Sequence, residues 1–130
     1  MTLRTLDDLG DVAERHVFVR VDFNVPLSDG SVADGSITDF TAMLARDVTA
    51  ADVKDAFRAA SESGPLSGGL LVYSEAAIVS SDIVGSAASC TFDGPLTMAM
   101  GNLVKVMGWY DNEWGYSNRL IDLVERIASR

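Results

Sequence analysis

Apolar and polar residues alternate along the segment HVFVRVDFNVPL, residues 16–27. One set of alternate positions is entirely apolar, whereas the other set carries Arg20, Asp22 and Asn24. A period of two places successive side chains on opposite faces of a strand. Pro26 lacks a backbone N–H and marks the end of the strand. The pattern therefore predicts a β-strand with one apolar face.

The next two segments predict a strand and then a helix. SITDFTAMLAR, residues 36–46, has alternate apolar positions at Phe40, Ala42 and Leu44. Residues 49–65 predict a helix with Thr49 as the N-cap and Asp52 near its positive end. Gly64 and Pro65 are expected to end the helix. Its predicted buried stripe consists of Val53, Ala56, Phe57 and Ala60.

The last third of the chain predicts short strands, a hairpin and a second helix. GGLLVY and SCTFD are strand candidates, and residues 96–110 predict a hairpin that turns at Gly101-Asn102. Residues 116–129 predict a helix, with Ser117 as its cap and apolar residues recurring at Leu120, Val124 and Ile127. This order favours an α+β fold: a mostly antiparallel sheet with one mid-chain helix and a C-terminal helix.

Composition narrows the classes of partner. The chain has 130 residues, of which ten are basic and nineteen acidic, giving a net charge of −9. This balance argues against nucleic acid and anionic membranes as partners, since both need a positive surface. The single cysteine, Cys90, suits a reducing compartment. The segment MTLRTLDDLGDVAER has charges where a signal peptide needs an apolar stretch, so a cytoplasmic location is expected.

The sequence offers few residues that could carry out catalysis or bind a metal. Cys90 is the only thiol and His16 the only imidazole, and they lie far apart in the sequence. Cys90 sits in a small apolar strand and is predicted to be structural, and His16 is predicted to lie at the surface. No His/Cys cluster, EF-hand spacing or glycine-rich phosphate motif is present, so no metal site is predicted.

Two local clusters remain open to a functional or a structural interpretation. Arg20, Asp22 and Asn24 are either polar ligand contacts at a strand's end or a half-solvated strand face. GWYDNEWGYSN, residues 108–118, combines aromatic rings with carboxylates and amides between a strand and a helix. It is either a platform for a binding amide or an aromatic corner that anchors the last helix.

Longer motifs resemble two known families. DGSITDFTAML, YSEAAIVSSDIVGSAASCTFD and NLVKVMGWYDNEWGYSNRLIDLVERIA resemble the C-terminal part of phosphorylating glyceraldehyde-3-phosphate dehydrogenase. The segment DDLGDV…HVFVRVDFNVPLSDGSV resembles the N-terminus of phosphoglycerate kinase. The expected organisation is a kinase-like segment over residues 1–34 and a dehydrogenase-like domain over 35–130. The duplicated DGS at 29–31 and 34–36, otherwise a linker or an ion-binding loop, is then interpreted as a seam.

The two resemblances imply specific binding residues. In the dehydrogenase family the Asn of WYDNEWGYS holds the nicotinamide carboxamide of NAD, which implies Asn112 with Tyr116 nearby. An amide suits this role because it both donates and accepts hydrogen bonds. In the kinase family the Asp and Asn of VDFN contact phosphoglycerate, which implies Asp22 and Asn24.

The resemblances also imply an incomplete active site. The family's SCTTNC nucleophile, base histidine and dinucleotide-binding domain have no counterpart in the 130 residues, and Asp29 aligns with a phosphate-binding arginine. The expected function is therefore a C-terminal portion of the dehydrogenase without catalysis of its own. Alternatives are a non-catalytic binding or oligomerisation module, a kinase-derived fragment, or a residually active enzyme. The expected partners are a second copy, as in a homo-oligomer, or a full-length dehydrogenase.

Overall fold

The computed structural model describes residues 35–129 and the backbone of residues 19–23. Six strands, two helices and one 3-10 turn follow one another along this part of the chain. They are β1 (Val19–Phe23), β2 (Ser36–Met43), α1 (Ala50–Glu62), β3 (Leu71–Ser74), the 3-10 turn (Ser80–Asp82), β4 (Cys90–Asp93), β5 (Met98–Met100), β6 (Leu103–Tyr110) and α2 (Asn112–Ala128).

The strands form one sheet in the order β1-β2-β6-β4-β3, and β5 pairs with β6 beside this path. Strands β3 and β4 are parallel, and the other paired strands are antiparallel. The predicted fold class, an α+β fold with a mostly antiparallel sheet, is confirmed.

Strand β6 is the centre of the sheet. It pairs with β2 along its whole length, from Ser36 opposite Tyr110 to Met43 opposite Leu103. It also pairs with β4 and with β5, which reaches it through the tight turn at Gly101. Gly101 has a φ of +60°, a conformation that glycine adopts without steric cost. The predicted hairpin is therefore present.

Helix α1 begins as its sequence predicts. The Thr49 hydroxyl accepts from the Asp52 N–H, and the Asp52 carboxylate accepts from the Thr49 N–H, at 3.1 and 2.8 Å. This reciprocal pair is a capping box. The stripe is partly different from the prediction: Val53 is buried and Phe57 half-buried, whereas Ala56 is exposed. The helix covers the sheet with a narrower face than the periodicity indicates.

The core lies between α1 and one face of the sheet. Phe92 is 1% exposed and stacks on Phe57 and Tyr73, with ring centroids 4.1 and 5.5 Å away. The other buried members of this cluster are Val53, Leu71, Val104 and Val106. Residues from three strands and one helix therefore meet at a single aromatic stack.

The predicted first strand is present, and the structure describes its backbone over Val19–Phe23. β1 pairs with β2 at the edge of the sheet, with Asp22 opposite Thr38 and Phe23 opposite Ile37. His16, Asn24 and most of the duplicated DGS stretch lie outside the described residues.

Helix α2 begins earlier than predicted, which corrects the choice of Ser117 as its cap. Asp111 is the N-cap, and its carboxylate accepts from the Trp114 N–H. The Ser117 hydroxyl instead donates to the Glu113 carbonyl within the helix, at 2.7 Å. No helix in the part of the chain that the structure describes is long and apolar enough to cross a membrane.

Candidate functional site

The candidate site is the junction at which β6 passes into α2. Asp111 joins two segments there: its Oδ1 accepts from the Trp114 N–H, and its Oδ2 accepts from the Gly85 N–H, both at 2.8 Å. Gly85 ends the VSSDIVG segment and has a φ of +80°. One carboxylate therefore caps α2 and fixes the loop that precedes β4.

The first two turns of α2 hold the helix close to the loop before β4. Gly115 is buried, and a Cβ there would lie 2.9 Å from the Ala88 carbonyl oxygen. The Arg119 Nη1 donates to the Ser89 hydroxyl at 3.0 Å, and its Nε lies 2.9 Å from an Asp122 carboxylate oxygen. The face of α2 that contacts the body of the protein is thus made of a glycine and polar side chains.

Asn112 and Tyr116 lie on one side of α2, since residues four apart are neighbours on a helix. Both are exposed, and Tyr116 keeps 65% of its surface open. Neither residue lines the two cavities described below. The helix brings the two predicted cofactor residues together on an exposed surface of the part of the chain that the structure describes.

Asp22, one of the two predicted phosphoglycerate residues, lies at the same end of the sheet as the candidate site. β1 and β6 are both antiparallel to β2, so their C-terminal ends point the same way. Asp22 is opposite Thr38, which is in turn opposite Gly108. Asn24 lies outside the described residues, so the assignment of Asp22 and Asn24 stays a prediction.

Cys90 is packed against the centre of the sheet. A Cβ on Gly108 would lie 2.6 Å from the Cys90 sulfur, so the glycine provides the space that the thiol occupies. Burial raises the pKa of the Cys90 thiol to about 11. The thiol is therefore protonated at neutral pH and is a poor nucleophile.

An apolar cavity of about 280 Å³ adjoins Cys90. Its lining residues share apolar or hydroxyl side chains and come from β2, α1, β4 and β6. They are Thr38, Phe40, Phe57, Cys90, Phe92, Val106, Met107 and Gly108. None of these eight residues carries a base that could take a proton from the thiol.

A second, more open cavity of about 380 Å³ lies beside Arg58 and Tyr73. The Arg58 guanidinium contacts Asp55 and Glu75 at 3.0 and 3.2 Å and lies 4.7 Å from the centre of the Tyr73 ring. The Tyr73 hydroxyl also donates to Glu75. The positive charge of Arg58 is paired with the carboxylates of Asp55 and Glu75, so it is not free to bind an anionic ligand. The contact with Glu75 holds α1 against the end of β3.

The N-termini of both helices are closed by acidic side chains of their own. Asp52 accepts from Thr49 at the start of α1, and that hydrogen bonding lowers the pKa of Asp52. Asp111 and Glu113 occupy the start of α2. A phosphate would have to displace or approach these carboxylates. Among residues 35–129, no group of three His, Cys, Asp or Glu side chains is placed to hold a metal ion.

Two carboxylates were missed by the sequence patterns. The sequence pattern places Asp111 in the aromatic cluster of residues 108–118, although an aspartate directly before a helix is a capping signal. Asp93 is 2% exposed and accepts from the Trp109 indole N–H at 2.9 Å and the Leu96 N–H at 3.1 Å. This contact joins β4 to β6 and has no local signal, because sixteen residues separate its partners.

The fold and the junction together define a class of protein domain. Residues 21–112 match the family described as glyceraldehyde 3-phosphate dehydrogenase, C-terminal domain. The matched region includes β2, α1, β3 to β6 and the first residue of α2. The chain belongs to this family. The match begins inside the segment with the kinase resemblance, which stays a prediction.

Curated relatives carry the name of the particular enzyme. The chain is 58% identical over 100 residues to glyceraldehyde-3-phosphate dehydrogenase of Streptomyces coelicolor, covering 76% of this chain and 30% of the relative. It is 56% identical over 98 residues to glyceraldehyde-3-phosphate dehydrogenase 2 of Streptomyces arenae, covering 75% and 29%. The Mycolicibacterium smegmatis enzyme is 53% identical over 97 residues, covering 75% and 28%. The chain thus spans less than a third of these relatives.

Proposed function

We propose that this chain is a non-catalytic C-terminal portion of a glyceraldehyde-3-phosphate dehydrogenase, which contributes structure and binding and no turnover of its own. The observation that carries the proposal is the state of Cys90. The family's chemistry needs a cysteine thiolate, and the chain's only thiol is half-buried, packed against Gly108, and has a raised pKa.

The chemistry of this thiol supports an inactive chain. With a pKa of about 11, only about one thiol in ten thousand is ionised at pH 7. Activation would need an adjacent base or cation. Phe40, Phe92 and Val106, which line the neighbouring cavity, supply neither. Cys90 therefore has the surroundings of a packing residue.

The first test measures turnover and thiol reactivity together. The 130-residue chain is expected to reduce no NAD in the presence of glyceraldehyde 3-phosphate and phosphate. At pH 7 an alkylating reagent is expected to modify Cys90 much more slowly than a free cysteine, because little thiolate forms and the side chain is half-buried. Modification should reach the rate of free cysteine in denaturant. Mass spectrometry and absorbance at the NADH maximum give the two readings. NAD reduction that disappears in Cys90→Ser would contradict the proposal.

The described residues do not form a complete NAD site. Asn112 offers one amide to a carboxamide, but it is exposed at the first position of α2. The pyrophosphate has no cationic or glycine-rich helix start among the described residues, since Asp52 and Asp111 close both helices. We therefore propose that Asn112 and Tyr116 are what remains of a carboxamide contact, and that they do not hold the cofactor alone.

The second test is a titration with NAD. One or two hydrogen bonds contribute about 1 kcal/mol each, whereas association costs several kcal/mol of rotational and translational freedom. The dissociation constant is therefore expected at about 1 mM or weaker. Two-dimensional NMR with the chain in its native state provides the measurement. Asn112→Ala should change little, and Glu125→Gln on the same helix serves as the control. A micromolar constant that is lost only in Asn112→Ala would contradict this expectation.

Residues 1–34 are proposed to be a phosphoglycerate-kinase-like segment, on the strength of the RVDFNVPL motif. The position of β1 supports an added segment, since it pairs with β2 at the sheet edge and leaves the other strand pairs independent of it. Phosphoglycerate in the same titration is expected to bind as weakly as NAD, because the net charge of −9 repels an anionic ligand.

A binding role implies a protein partner in the cytoplasm, and we propose a full-length dehydrogenase as that partner. The same net charge supports a protein over nucleic acid or an anionic membrane. The sequence identity supports this choice, since 58% of the 100 aligned residues are the same as in the relative from Streptomyces coelicolor.

A further inference from the structure

The sulfur-containing side chains differ in how far they are open to solvent. Met98 and Met100 of β5 keep 59% and 76% of their surface exposed, and Met43 at the end of β2 keeps 45%. Met107 of β6 and Cys90 are half-buried. Thiol and thioether sulfurs are the usual targets of oxidants in proteins. This ranking therefore determines which sulfur atoms a dissolved oxidant reaches first.

The three exposed methionines lie on the face of the sheet away from α1. Ala99, between Met98 and Met100, packs against the core, so strand alternation places its two neighbours on the opposite face. Met43 and Met100 are both opposite Leu103, on either side of β6. Residues directly opposite one another in an antiparallel pair share a face. The three thioethers therefore lie together on one surface at this end of the sheet.

Other groups hold this part of the fold in place. The Leu44 N–H donates to the Asn102 carbonyl at 2.8 Å, and the Asn102 side-chain amide donates to the Leu44 carbonyl at 3.0 Å. These bonds fix the turn between β5 and β6. The aromatic stack around Phe92 lies in the core, between α1 and the sheet. A polar group added to an exposed methionine would face water and leave these contacts intact.

The thiol of Cys90 is protected in two ways. It is packed against Gly108 in the middle of the sheet, and an oxidant attacks the thiolate rather than the thiol. Burial raises the pKa of Cys90 to about 11, so thiolate is scarce at neutral pH. A thioether has no proton to lose, and its oxidation needs access rather than ionisation. Access and chemistry therefore both favour the exposed methionines over the cysteine.

We propose that Met98 and Met100 are the site at which hydrogen peroxide oxidises this chain, in a reversible reaction that leaves the fold intact. The O–O bond of the peroxide breaks, one oxygen atom is transferred to the thioether sulfur, and a sulfoxide and water are formed. The sulfur loses the two electrons that the peroxide gains. Methionine sulfoxide reductases return both sulfoxide epimers to methionine. This goes beyond the proposed function, because it gives a chain without turnover a stoichiometric reaction that holds whether or not NAD binds.

The test treats the 130-residue chain with hydrogen peroxide at pH 7 and follows each sulfur-containing peptide by mass spectrometry. Fragmentation separates Met98 from Met100. We expect the mass of one oxygen atom to appear first at these two residues, then at Met43, and several-fold more slowly at Met107. Cys90 should remain a thiol that can be alkylated after unfolding. In denaturant the methionines should react at similar rates, and Cys90 should become the fastest site because unfolding removes its protection.

Two conservative variants assign the reaction to its site. Leucine has a volume similar to that of methionine but no sulfur, so the fold should tolerate it. Met98→Leu combined with Met100→Leu should remove the early oxygen uptake of the β5 peptide and leave Met107 as slow as before. Met107→Leu is the matched control and should leave the early uptake unchanged. Circular dichroism of the oxidised chain should match that of the untreated chain, and the two reductases should restore the original mass.

Three outcomes would overturn the proposal. The first is oxidation of Cys90 before Met100 in the native chain, which would make the thiol the reactive sulfur. The second is oxidation of Met107 as fast as that of Met98, which would mean that exposure does not select the site. The third is an oxidised chain that loses its circular dichroism signal or that the reductases cannot restore, because the reaction would then damage the fold.

Discussion

Replacing Phe92 with alanine is expected to lower the free energy of unfolding by about 3–5 kcal/mol, the range for removing a large aromatic side chain from a core. Phe92 is 1% exposed, and its ring stacks on Phe57 of α1 and on Tyr73 of β3. The substitution would leave a void beside the apolar cavity of about 280 Å³ that Phe92 already lines. The side chains around the enlarged cavity then lose their packing against Phe92, so α1 should loosen from the sheet. Urea unfolding followed by circular dichroism measures the change.

Val72→Ala is the matched control for this experiment. Val72 is on the neighbouring strand β3 but is exposed, so its substitution should change the free energy of unfolding by no more than about 0.5 kcal/mol. Both variants and the wild type are compared at one protein concentration, because any association between chains would shift the apparent stability. A loss below about 1 kcal/mol in Phe92→Ala would mean that the aromatic stack is not the centre of the core.

Asp93→Ala is expected to lower the free energy of unfolding by roughly 1–3 kcal/mol, the cost of leaving a partly buried donor such as the Trp109 indole N–H without its acceptor. The substitution removes the acceptor of the Trp109 indole N–H and of the Leu96 N–H. The first contact fastens β4 to β6, and the second fixes the turn that leads to β5. Tryptophan fluorescence during urea unfolding reports directly on the affected ring.

A double-mutant cycle separates the hydrogen bond from the loss of packing. In the Asp93→Ala background, Trp109→Phe should cost less than it does in the wild type, because the indole N–H is already without its acceptor. Asp93→Asn keeps a side-chain oxygen and should be milder than Asp93→Ala. Additive losses in the cycle would contradict the assigned contact.

The sequence predicts α1 well because its signals are local. Thr49 and Asp52 are three residues apart, and each satisfies a backbone N–H that the helix start would otherwise leave unpaired. The hairpin at Gly101-Asn102 is predicted for the same reason: a turn that needs a positive φ selects its own residues. Burial is less local, since it depends on what packs against the helix: Ala56 is exposed although it belongs to the predicted apolar stripe.

The start of α2 is predicted wrongly because two local signals compete. Asp111 and Ser117 are both capping residues, and the choice of Ser117 predicts a helix over residues 116–129. A Cβ on Gly115, inside the helix, would lie 2.9 Å from the Ala88 carbonyl oxygen, so this close approach selects glycine. That close approach depends on a residue far away in the sequence, and no window around α2 contains it.

In the candidate site, too, local features are predicted from the sequence and tertiary contacts are not. The resemblance points to Asn112 and Tyr116, and helical spacing places them side by side on α2. The clamp of Asp111 on Gly85, across 26 residues, and the bond of Asp93 with Trp109 are tertiary contacts that periodicity cannot reveal. The parallel pairing of β3 with β4 is equally non-local.

The central position of β6 bears on how the protein is made. During synthesis, β2 emerges early and its neighbour in the sheet, β6, emerges about sixty residues later, after β3, β4 and β5. Until residues 103–110 leave the ribosome, β2 and β4 lack the strand that lies between them, and β5 lacks the strand with which it forms its hairpin. Pairings between such distant segments are slow to form and leave apolar strands open in the meantime. The nascent chain therefore has to keep its half-built sheet from aggregating until a single late strand closes it.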